Sequence, residues 1–304
     1  MRIGIDLGGS KIAAVALDAA GEVRQRLRRA TPRHDYAGTI AAVAGLVHDL
    51  EAGAPGRTRV GVATPGAIDP GTGRLKNANS TWLIGAALHH DLAARLARPV
   101  RLANDADCFA LSEARDGAAA GESPVFGVIL GTGVGGGVVV NGQRLTGPNA
   151  IAGEWGHNPL PRMTAAEAPG PPCYCGRRGC IETFLSGPGL SADYAAGGGD
   201  AGVPAAAIAA RADAGEAAAA AALERYVARL GRALAGVVNI LDPAVIVLGG
   251  GLSNIDRLYS DLPGAMAPHV FSAHVRTDIR PPQHGDDSGV RGAARLWDAD
   301  ETGA

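Results

Sequence analysis

The sequence has few aromatic residues, few lysines, few cysteines and almost no excess of either charge. Of 304 residues, 4% are aromatic and four are cysteine; Lys11 and Lys76 are the two lysines among 28 basic residues, and the formal net charge is −2. A balanced charge argues against the strongly basic surface with which proteins bind nucleic acid or an anionic membrane. We therefore expect neither partner.

The N-terminus lacks the apolar core of a signal peptide, because Asp6 and Lys11 interrupt the segment MRIGIDLGGSK. Residues 123–143 carry no charge and are long enough to span a membrane, but seven glycines and Asn141 argue against a membrane helix. We expect a cytoplasmic protein. In a reducing compartment, clustered thiols bind metal more often than they form disulfides.

The remaining composition indicates a folded chain with a large core. Hydrophobic residues make up 46% and charged residues 19%, and the length suggests two domains at about 150 residues each. Short apolar runs alternate with segments of helical spacing, which predicts an α/β fold. The predicted strands cover 3–7, 12–17, 23–27, 60–63, 100–103 and 244–248, and the predicted helices cover 36–50, 88–96, 106–114, 216–241, 257–266 and 288–297.

The pattern at the N-terminus recurs in the middle of the chain. The segment IGIDLGGS from Ile3 aligns with FGVILGTG from Phe126, and three of the eight positions are identical. Three identities are weak by themselves. In both places, however, a strand, a glycine turn and a second apolar strand follow one another, so we predict two related α/β halves with a boundary near 114–124.

Three predicted strands end in glycine-rich loops. A phosphate group can approach a glycine loop closely and accept several backbone N–H bonds, because glycine has no side chain. Tight turns also need glycine, so each loop taken singly keeps both interpretations, while three loops at comparable strand ends favour a nucleotide. The loops are Gly8-Gly9-Ser10-Lys11, the run GTGVGGG at 131–137, and Gly249-Gly250-Gly251.

Two common nucleotide motifs are not met. Gly131, Gly133 and Gly136 match the dinucleotide pattern G-x-G-x-x-G, but that pattern must open a helix, and the apolar run 138–140 predicts a strand. The first loop lacks the four-residue spacer and the helix of a P-loop. We therefore reject a dinucleotide-binding fold and a P-loop.

Three cysteines lie within eight residues of one another. Cys173, Cys175 and Cys180 follow His157 by sixteen or more residues, and three thiolates with one imidazole match a structural Zn²⁺ site. Four protein ligands leave no open coordination position, so this zinc should not activate water. A disulfide or chance clustering is the alternative. The fourth cysteine, Cys108, is most simply a buried apolar residue.

Polar side chains collect at predicted strand ends and around the Cys/His cluster. Carboxylates and amides are suitable partners for sugar hydroxyl groups, and Asp105 could also accept a proton from an attacking hydroxyl. Asn104-Asp105 could equally be a helix N-cap, and we expect Asp107 to be a solvated helix residue. The candidate residues are Asn79, Asn104, Asp105, Glu154, His157 and Glu182.

Together these motifs resemble the bacterial ROK family of sugar kinases, over residues 3 to about 297. The segment from Asp6 to Lys11 resembles the first phosphate loop of the family, with Ser10 where threonine is usual, and Asn104-Asp105-Ala106 resembles its catalytic motif. The segment GEWGH at 153–157, followed by CYCGRRGCIE at 173–182, resembles its zinc signature, which is highly specific. Asp107 departs from the asparagine common in the family.

The resemblance implies a two-domain actin/hexokinase-like (ribonuclease H-like) fold with an interdomain cleft. It implies one domain at 1–115, completed by a helix at 288–298, a second domain with the zinc site at 116–287, and a homodimer. The implied reaction is ATP-dependent phosphorylation of a hexose at the 6-hydroxyl. Three segments look like the fructokinase/mannokinase branch: KNANSTW at 76–82, the run from Glu154 to Pro161, and HGD at 284–286. This likeness predicts fructose as substrate, with mannose or glucose next.

Two rival functions stay open. The N-acetylglucosamine kinase branch shares much of the same motif frame. The family also contains sugar-sensing repressors, which carry a DNA-binding segment before the first phosphate loop, whereas here that loop begins near residue 3. A non-catalytic sugar-binding regulator is therefore the more remote alternative.

The resemblance also assigns roles to individual residues. It implies that Asp105 takes the hydroxyl proton, that Asp6 holds Mg²⁺ through water, and that the zinc fixes His157 toward a sugar hydroxyl. The residues implied to bind ATP are Gly8, Gly9, Ser10, Lys11, Gly131, Thr132, Gly133, Gly249, Gly250 and Gly251. The residues implied to bind the sugar are Gly66, Asn79, Asn104, Asp105, Glu154, His157 and Glu182.

Overall fold

A computed structural model describes residues 1–52, 58–78 and 80–297. The strands are β1 (Arg2–Leu7), β2 (Lys11–Leu17), β3 (Val23–Ala30), β4 (Arg59–Thr64), β5 (Ala67–Ile68), β6 (Leu75–Lys76), β7 (Val100–Asn104), β8 (Val125–Leu130), β9 (Val134–Val140), β10 (Gln143–Arg144), β11 (Val245–Gly249) and β12 (Asp278–Arg280). The helices are α1 (Tyr36–Glu51), α2 (Leu88–Leu96), α3 (Asp105–Asp116), α4 (Ile181–Leu185), α5 (Gly187–Ala196), α6 (Ala205–Asp213), α7 (Ala217–Leu241), α8 (Arg257–Met266) and α9 (Ser288–Arg295). Within these ranges, none of the helices is both long and apolar enough to cross a bilayer.

Two five-stranded sheets share one strand order. The first sheet runs β3-β2-β1-β4-β7 and the second runs β10-β9-β8-β11-β12. In each, an antiparallel hairpin is followed by strands that pair in parallel, β4 with β1 and β11 with β8. The predicted α/β fold is confirmed, and the shared order agrees with the predicted repeat of the N-terminal pattern.

Helices α3 and α9 lie between the sheets. Helix α3 packs against β8 and β9 of the second sheet, while α9 packs against β1 and β4 of the first, and the two helices contact each other. These contacts support the proposal that α9 completes a first domain formed by residues 1–115, with residues 116–287 as the second. Residue 298, the end of the predicted C-terminal helix, lies outside the described residues.

Helix α9 approaches the first sheet so closely that a side chain has no room at Gly61. A Cβ atom at this position would lie 1.9 Å from the carbonyl oxygen of Ala293 on α9, and this oxygen belongs to backbone that cannot swing aside. Overpacking of this kind costs about 1–3 kcal/mol. The glycine in β4 is therefore required by the helix that covers it.

We expect Gly61→Ala to lower the free energy of unfolding by about 1–3 kcal/mol in denaturant titrations. The matched control is Gly264→Ala in α8, where a Cβ atom meets nothing within 4 Å. Alanine in a helix is favoured over glycine by up to about 1 kcal/mol, so the control should be neutral or stabilising. Equal effects of the two substitutions would contradict the close contact between α9 and β4.

Candidate active site

Two cavities meet at Asp105. The first, of about 270 Å³, lies among the second-sheet loops and the Cys/His cluster and is lined by Asn104, Glu154, His157 and Glu182 together with Asp105. The second, of about 300 Å³, lies at the first glycine loop. Asp105, Pro65 and Ile129 line both cavities. A carboxylate on the shared wall can therefore reach groups bound on either side.

Asp105 is the first residue of α3 and follows directly after β7. The side chain of Asn104 caps the helix, because its Oδ1 accepts the backbone N–H of Ala106 at 2.9 Å, and its amide donates to the carbonyl oxygen of Gly66 at 3.2 Å. Oδ1 of Asp105 accepts the same N–H at 2.8 Å. The N-cap interpretation of this pair is thus correct for Asn104, and the cap also places Asp105 at the cleft.

The carboxyl group of Asp105 has an unusual acidity. Burial and, to a smaller extent, the nearby charge of Asp6 raise its pKa to about 7, against the lowering effect of the Ala106 N–H. Burial likewise raises the pKa of Asp6 to about 6. A carboxylate whose pKa lies near neutral pH is suited to take a proton and release it again.

The second strand of the second sheet approaches the start of α3 through a glycine. A Cβ atom at Gly137 would lie 2.5 Å from the carbonyl oxygen of Ala106. Residues 135–137 lie within β9 rather than in its preceding turn, which is held by a Gly131 N–H bond to the carbonyl of Gly133 at 3.0 Å. Part of the glycine run thus serves helix packing beside Asp105, a role distinct from phosphate binding.

Two carboxylates complete the first cavity. Glu154 lies just before a short helical turn, Trp155–His157, which the Trp155 indole fastens to β9 by donating to the carbonyl oxygen of Gly135 at 3.0 Å. Glu182 lies in the first turn of α4 and accepts the backbone N–H of Val134 at 2.9 Å. Burial raises the pKa of Glu154 above its usual value.

The Cys/His cluster is assembled by two paired segments. The Leu160 N–H donates to the carbonyl of Gly179 at 2.8 Å, and the Ile181 N–H donates to that of Asn158 at 2.8 Å. This pairing brings His157 beside Cys180, and one ligand atom from each of His157, Cys173, Cys175 and Cys180 lies within 4.8 Å of the others.

The four ligand atoms fit a tetrahedral zinc ion. Sγ of Cys175 lies 3.6 Å from Sγ of Cys180, and Sγ of Cys173 lies 3.6 Å from Nδ1 of His157. Zn–S bonds of about 2.3 Å in a tetrahedron place two sulfurs about 3.8 Å apart. All four cysteines of the chain are free thiols, so the disulfide alternative is not realised in this structure.

His157 meets a neighbour that the sequence interpretation did not include. Its Nε2 lies 2.9 Å from the hydroxyl oxygen of Tyr174, and the two rings meet edge to face at 5.1 Å. Tyr174 also lines the first cavity. The sequence could have indicated this contact, because Tyr174 lies between Cys173 and Cys175, and a residue between two candidate metal ligands must lie beside the candidate metal site.

The glycine loops divide between the two cavities. The residues of the ATP prediction that line the second cavity are Asp6, Gly8, Gly9 and Gly250. Those that line the first cavity are Gly131, Thr132 and Gly133. Ser10, Lys11, Gly249 and Gly251 line neither cavity. The second cavity also includes Phe109, Gly285, Asp286 and Gly289, for which the sequence interpretation gave no ligand role.

Two sequence predictions need comment. Asn79 lies outside the described residues, so its proposed sugar contact has no structural counterpart here. The prediction of a solvated Asp107 is wrong: the side chain is buried, its Oδ2 accepts from Arg144 at 3.0 Å, and burial raises its pKa to about 6. It faces β10 and the second sheet, because α3 packs on β9 along that side.

Comparisons with known proteins agree on one family. A family model described as "ROK family" matches residues 2–300. The chain is 41% identical over 308 residues to an N-acetyl-D-glucosamine kinase of Erwinia tasmaniensis, covering 97% of this chain and 99% of that protein. A ROK hexokinase structure from Thermus thermophilus matches with a TM-score of 0.83 and 31% identity, covering 96% of both chains. A ROK family glucokinase from Streptomyces griseus, solved with glucose and AMPPNP, matches with a TM-score of 0.79 and 26% identity. The match covers 97% of this chain and 98% of the glucokinase.

Proposed function

Because the chain belongs to the ROK family, we propose that this sugar kinase transfers the terminal phosphoryl group of ATP to the 6-hydroxyl of N-acetyl-D-glucosamine. The observation that carries the proposal is Asp105, a carboxylate with a pKa of about 7 on the wall shared by two cavities. The similar kinases named N-acetyl-D-glucosamine kinase support this substrate. The predicted fructokinase/mannokinase branch is not confirmed by these relatives, so fructose gives way to the alternative.

The sugar is proposed to lie in the first cavity. Asn104, Glu154 and Glu182 offer amide and carboxylate groups there, which accept hydrogen bonds from hydroxyl groups and can do so in pairs. Gly66 lines the same cavity beside them. The sugar's 6-hydroxyl faces the wall that both cavities share, because only from there can it approach a phosphate in the second cavity.

Asp105 acts on this hydroxyl as a general base. As the sugar oxygen attacks the γ-phosphorus of ATP, the O–H bond breaks and the proton passes to the Asp105 carboxylate, while the bond to the ADP oxygen breaks on the opposite side. One carboxylate oxygen is held by the Ala106 N–H, which fixes the orientation of the other. Phosphoryl transfer depends mainly on such positioning and on neutralising phosphate charge.

The nucleotide is proposed to enter the second cavity. Gly8 and Gly9 of the first glycine loop line this cavity and would present backbone to the phosphates together with Ser10 and Lys11. The turn Gly131-Thr132-Gly133 lines the first cavity and would reach the phosphates across the shared wall. Of Gly249–Gly251, which would flank the adenosine, Gly250 lines the second cavity. Asp6, which lines the second cavity, would hold Mg²⁺ through water, and this ion supplies charge neutralisation when bound. The cavity's shared wall with the sugar site supports this arrangement.

Zinc is proposed as the resident metal of the Cys/His cluster. His157, Cys173, Cys175 and Cys180 would hold it, and the ion would supply only rigidity, since the four protein ligands fill a tetrahedron. Glu182 follows two residues after Cys180, so the metal would also anchor that carboxylate. The homodimer remains a prediction of the family resemblance, and the cytoplasmic location remains a prediction from the sequence.

A hexose panel tests the substrate. In a coupled assay of ADP release, we expect kcat/KM for N-acetyl-D-glucosamine to exceed that for fructose, mannose and glucose by at least about tenfold, since relative kcat/KM measures specificity. Asp105→Asn protein, purified in parallel, controls for contaminating kinases. A higher kcat/KM for fructose would restore the fructokinase prediction, and no turnover with any hexose would favour a non-catalytic sugar-binding protein.

A further inference from the structure

A lysine side chain bridges the two proposed domains beside the first cavity. Nζ of Lys76 donates to the carbonyl oxygen of Asn149 at 3.0 Å. Lys76 ends β6 in the first domain, whereas Asn149 lies in the loop between β10 and Glu154 in the second. Asn77 and Glu154, which follow these two segments, line the first cavity. The hydrogen bond therefore crosses the cleft at the sugar side, and no step of the proposed reaction uses it.

The ammonium group is oriented by its own hairpin, β5 and β6. Oδ2 of Asp69, in the turn after β5, accepts a hydrogen bond from Nζ of Lys76 at 3.1 Å. Oδ1 of Asp69 accepts the backbone N–H groups of Gly71 and Thr72, each at 3.0 Å, so the turn fixes the carboxylate. An ammonium group carries three N–H donors, and the bond to Asp69 leaves donors for the carbonyl across the cleft.

In the first domain, the backbone of Lys76 is packed against the wall of the cavity. Gly66 has a φ of +78°, and a Cβ atom at this position would lie 2.2 Å from the carbonyl oxygen of Lys76. Gly66 and Asn77 both line the first cavity. A displacement of Lys76 would therefore move this side of the proposed sugar site.

In the second domain, the loop that accepts the hydrogen bond also carries Glu154. The Glu154 N–H donates to the carbonyl oxygen of Ile151 at 3.1 Å, which closes a turn at the end of the loop. A Cβ atom at Gly153 would lie 2.3 Å from the carbonyl oxygen of Gly136 on β9, so the same end of the loop is packed on the sheet. The lysine thus contacts a segment whose position is tied to a carboxylate of the proposed sugar site.

We propose that Lys76 is a positioning residue that holds the cleft closed over the bound sugar. Lys76 lines neither cavity, so it acts through the closure of the two domains and not by contact with sugar or nucleotide. A contact that exists only when the domains are close favours the closed state, and the affinity for the sugar rises with the population of that state. This inference rests on the proposed function, because it needs a sugar in the first cavity.

The choice of lysine at this position agrees with the double contact. The chain has lysine at two of its 28 basic positions, and Lys76 is one of them. An ammonium group is a compact charge on a flexible stem with three donors, whereas a guanidinium group is a planar fork suited to a carboxylate alone. The ammonium can therefore donate to Asp69 and to a carbonyl oxygen on the other domain at once.

Lys76→Met tests the inference, because methionine keeps an unbranched side chain and removes the ammonium group. We expect the Kd for N-acetyl-D-glucosamine by titration calorimetry without nucleotide, and its KM, to rise about three- to tenfold. The kcat should change less than about twofold, since the contact is made equally in the bound sugar and in the transition state. The ratio of kcat/KM for N-acetyl-D-glucosamine to that for glucose should stay the same, because Lys76 touches neither sugar.

Small-angle X-ray scattering measures the closure itself. We expect the radius of gyration of the wild type to decrease when N-acetyl-D-glucosamine binds. In Lys76→Met the same decrease should require a sugar concentration higher by the factor found for Kd, because the substitution shifts the equilibrium toward the open state.

Asp69→Asn is the matched control. It breaks the same ion pair inside the hairpin and leaves the lysine with its donor to Asn149. We expect Asp69→Asn to change Kd less than about twofold, while lowering Tm about as much as Lys76→Met does. If Lys76 served only to stabilise the hairpin, the two substitutions would raise Kd equally.

An unchanged Kd in Lys76→Met, or equal increases in the two variants, would overturn the inference. A wild-type radius of gyration that does not respond to sugar would overturn it as well. Wild-type protein that binds no hexose would overturn the proposed function and this inference with it. Wild-type protein that prefers another hexose would overturn only the proposed substrate, and the two variants would then be compared with that hexose.

Discussion

Replacing Asp105 by asparagine should lower kcat at least about 100-fold, the lower range for loss of a general base. Asparagine keeps the shape of the side chain and can still accept the Ala106 N–H that Asp105 now accepts at 2.8 Å. It cannot take a proton from the sugar hydroxyl. We therefore expect the Kd for the sugar to change little, and single-turnover kinetics should show the loss in the phosphoryl-transfer step.

The pH profile of the wild-type enzyme should carry the signature of the same carboxylate. Its pKa of about 7 means that the base is protonated and inactive below neutral pH, so kcat/KM should rise with pH through about 7 and then level off. This limb reports a group of the free enzyme. In Asp105→Asn the limb should disappear from the residual activity.

The same substitution should make the protein more stable in alkaline buffer. The pKa of Asp105 in the folded protein, about 7, lies above its ordinary value of 3.8, so ionisation of this carboxyl group opposes folding. The stability contributed by the neutral acid is fully present below pH 3.8 and is lost as pH rises through 7. At pH 8, ionisation of Asp105 lowers the free energy of unfolding by on the order of 4 kcal/mol at most. Asp105→Asn should raise Tm at pH 8, and the gain should shrink toward pH 4.

Glu113→Gln is the control for Asp105→Asn, because it removes another carboxylate from the same helix, α3. Glu113 accepts the Ser288 hydroxyl at 2.7 Å and the Gln283 N–H at 3.0 Å, joining α3 to α9. Its loss should lower stability without removing the pH limb. Asp105→Asn protein with nearly wild-type turnover, or with an unchanged pH limb, would remove Asp105 from the role of base.

Segments with a clear apolar period could be predicted from the sequence, whereas segments without one could not. The predicted helix 88–96 and the predicted helix 257–266 match α2 and α8, and the predicted 216–241 matches α7 within one residue. Helices α5 and α6 were not predicted. Helix α5 opens with Gly-Pro-Gly and depends on the Ser186 cap to Gly189, while α6 buries Ile208 alone. Neither shows an apolar stripe, so tertiary packing decides both.

The site shows the same division between local and distant information. The positions of Asp105, Glu154 and the Cys/His cluster around one cavity could be predicted, because strand ends and ligand spacing are local patterns. Asp286 and Phe109 also line the second cavity, but they reach it from separate elements whose approach depends on how α3 and α9 pack. Asp107 was misjudged for the same reason, since its partner Arg144 lies 37 residues away on β10.

Removal of the proposed zinc should affect stability and catalysis together. We expect about one zinc per chain in the wild type, and almost none in Cys180→Ser. Cys180 is buried, and its Sγ lies 3.6 Å from Sγ of Cys175, so losing it breaks the tetrahedron. Structural zinc contributes several kcal/mol to folding, and each kcal/mol moves Tm by about 2–4 °C in a domain of this size. We therefore expect Tm to fall by at least about 5 °C.

Catalytic efficiency should fall with it, because the proposed zinc would position two groups of the sugar cavity. His157 is itself a proposed zinc ligand, and Glu182 lies in the first turn of α4, two residues after Cys180. Loss of groups that orient a site through a metal commonly costs about 10–100-fold, and here the cost should appear largely in KM for the sugar. Cys108→Ala is the matched control, since this buried thiol lies in a separate core cluster and its removal should leave zinc content intact. Metal analysis by mass spectrometry tests the zinc assignment. Folded, active wild-type protein without zinc, or a chelator that leaves Tm unchanged, would refute it. Parallel loss of metal, thermal stability and sugar affinity in Cys180→Ser, but not in Cys108→Ala, would establish that the cluster supports the sugar site.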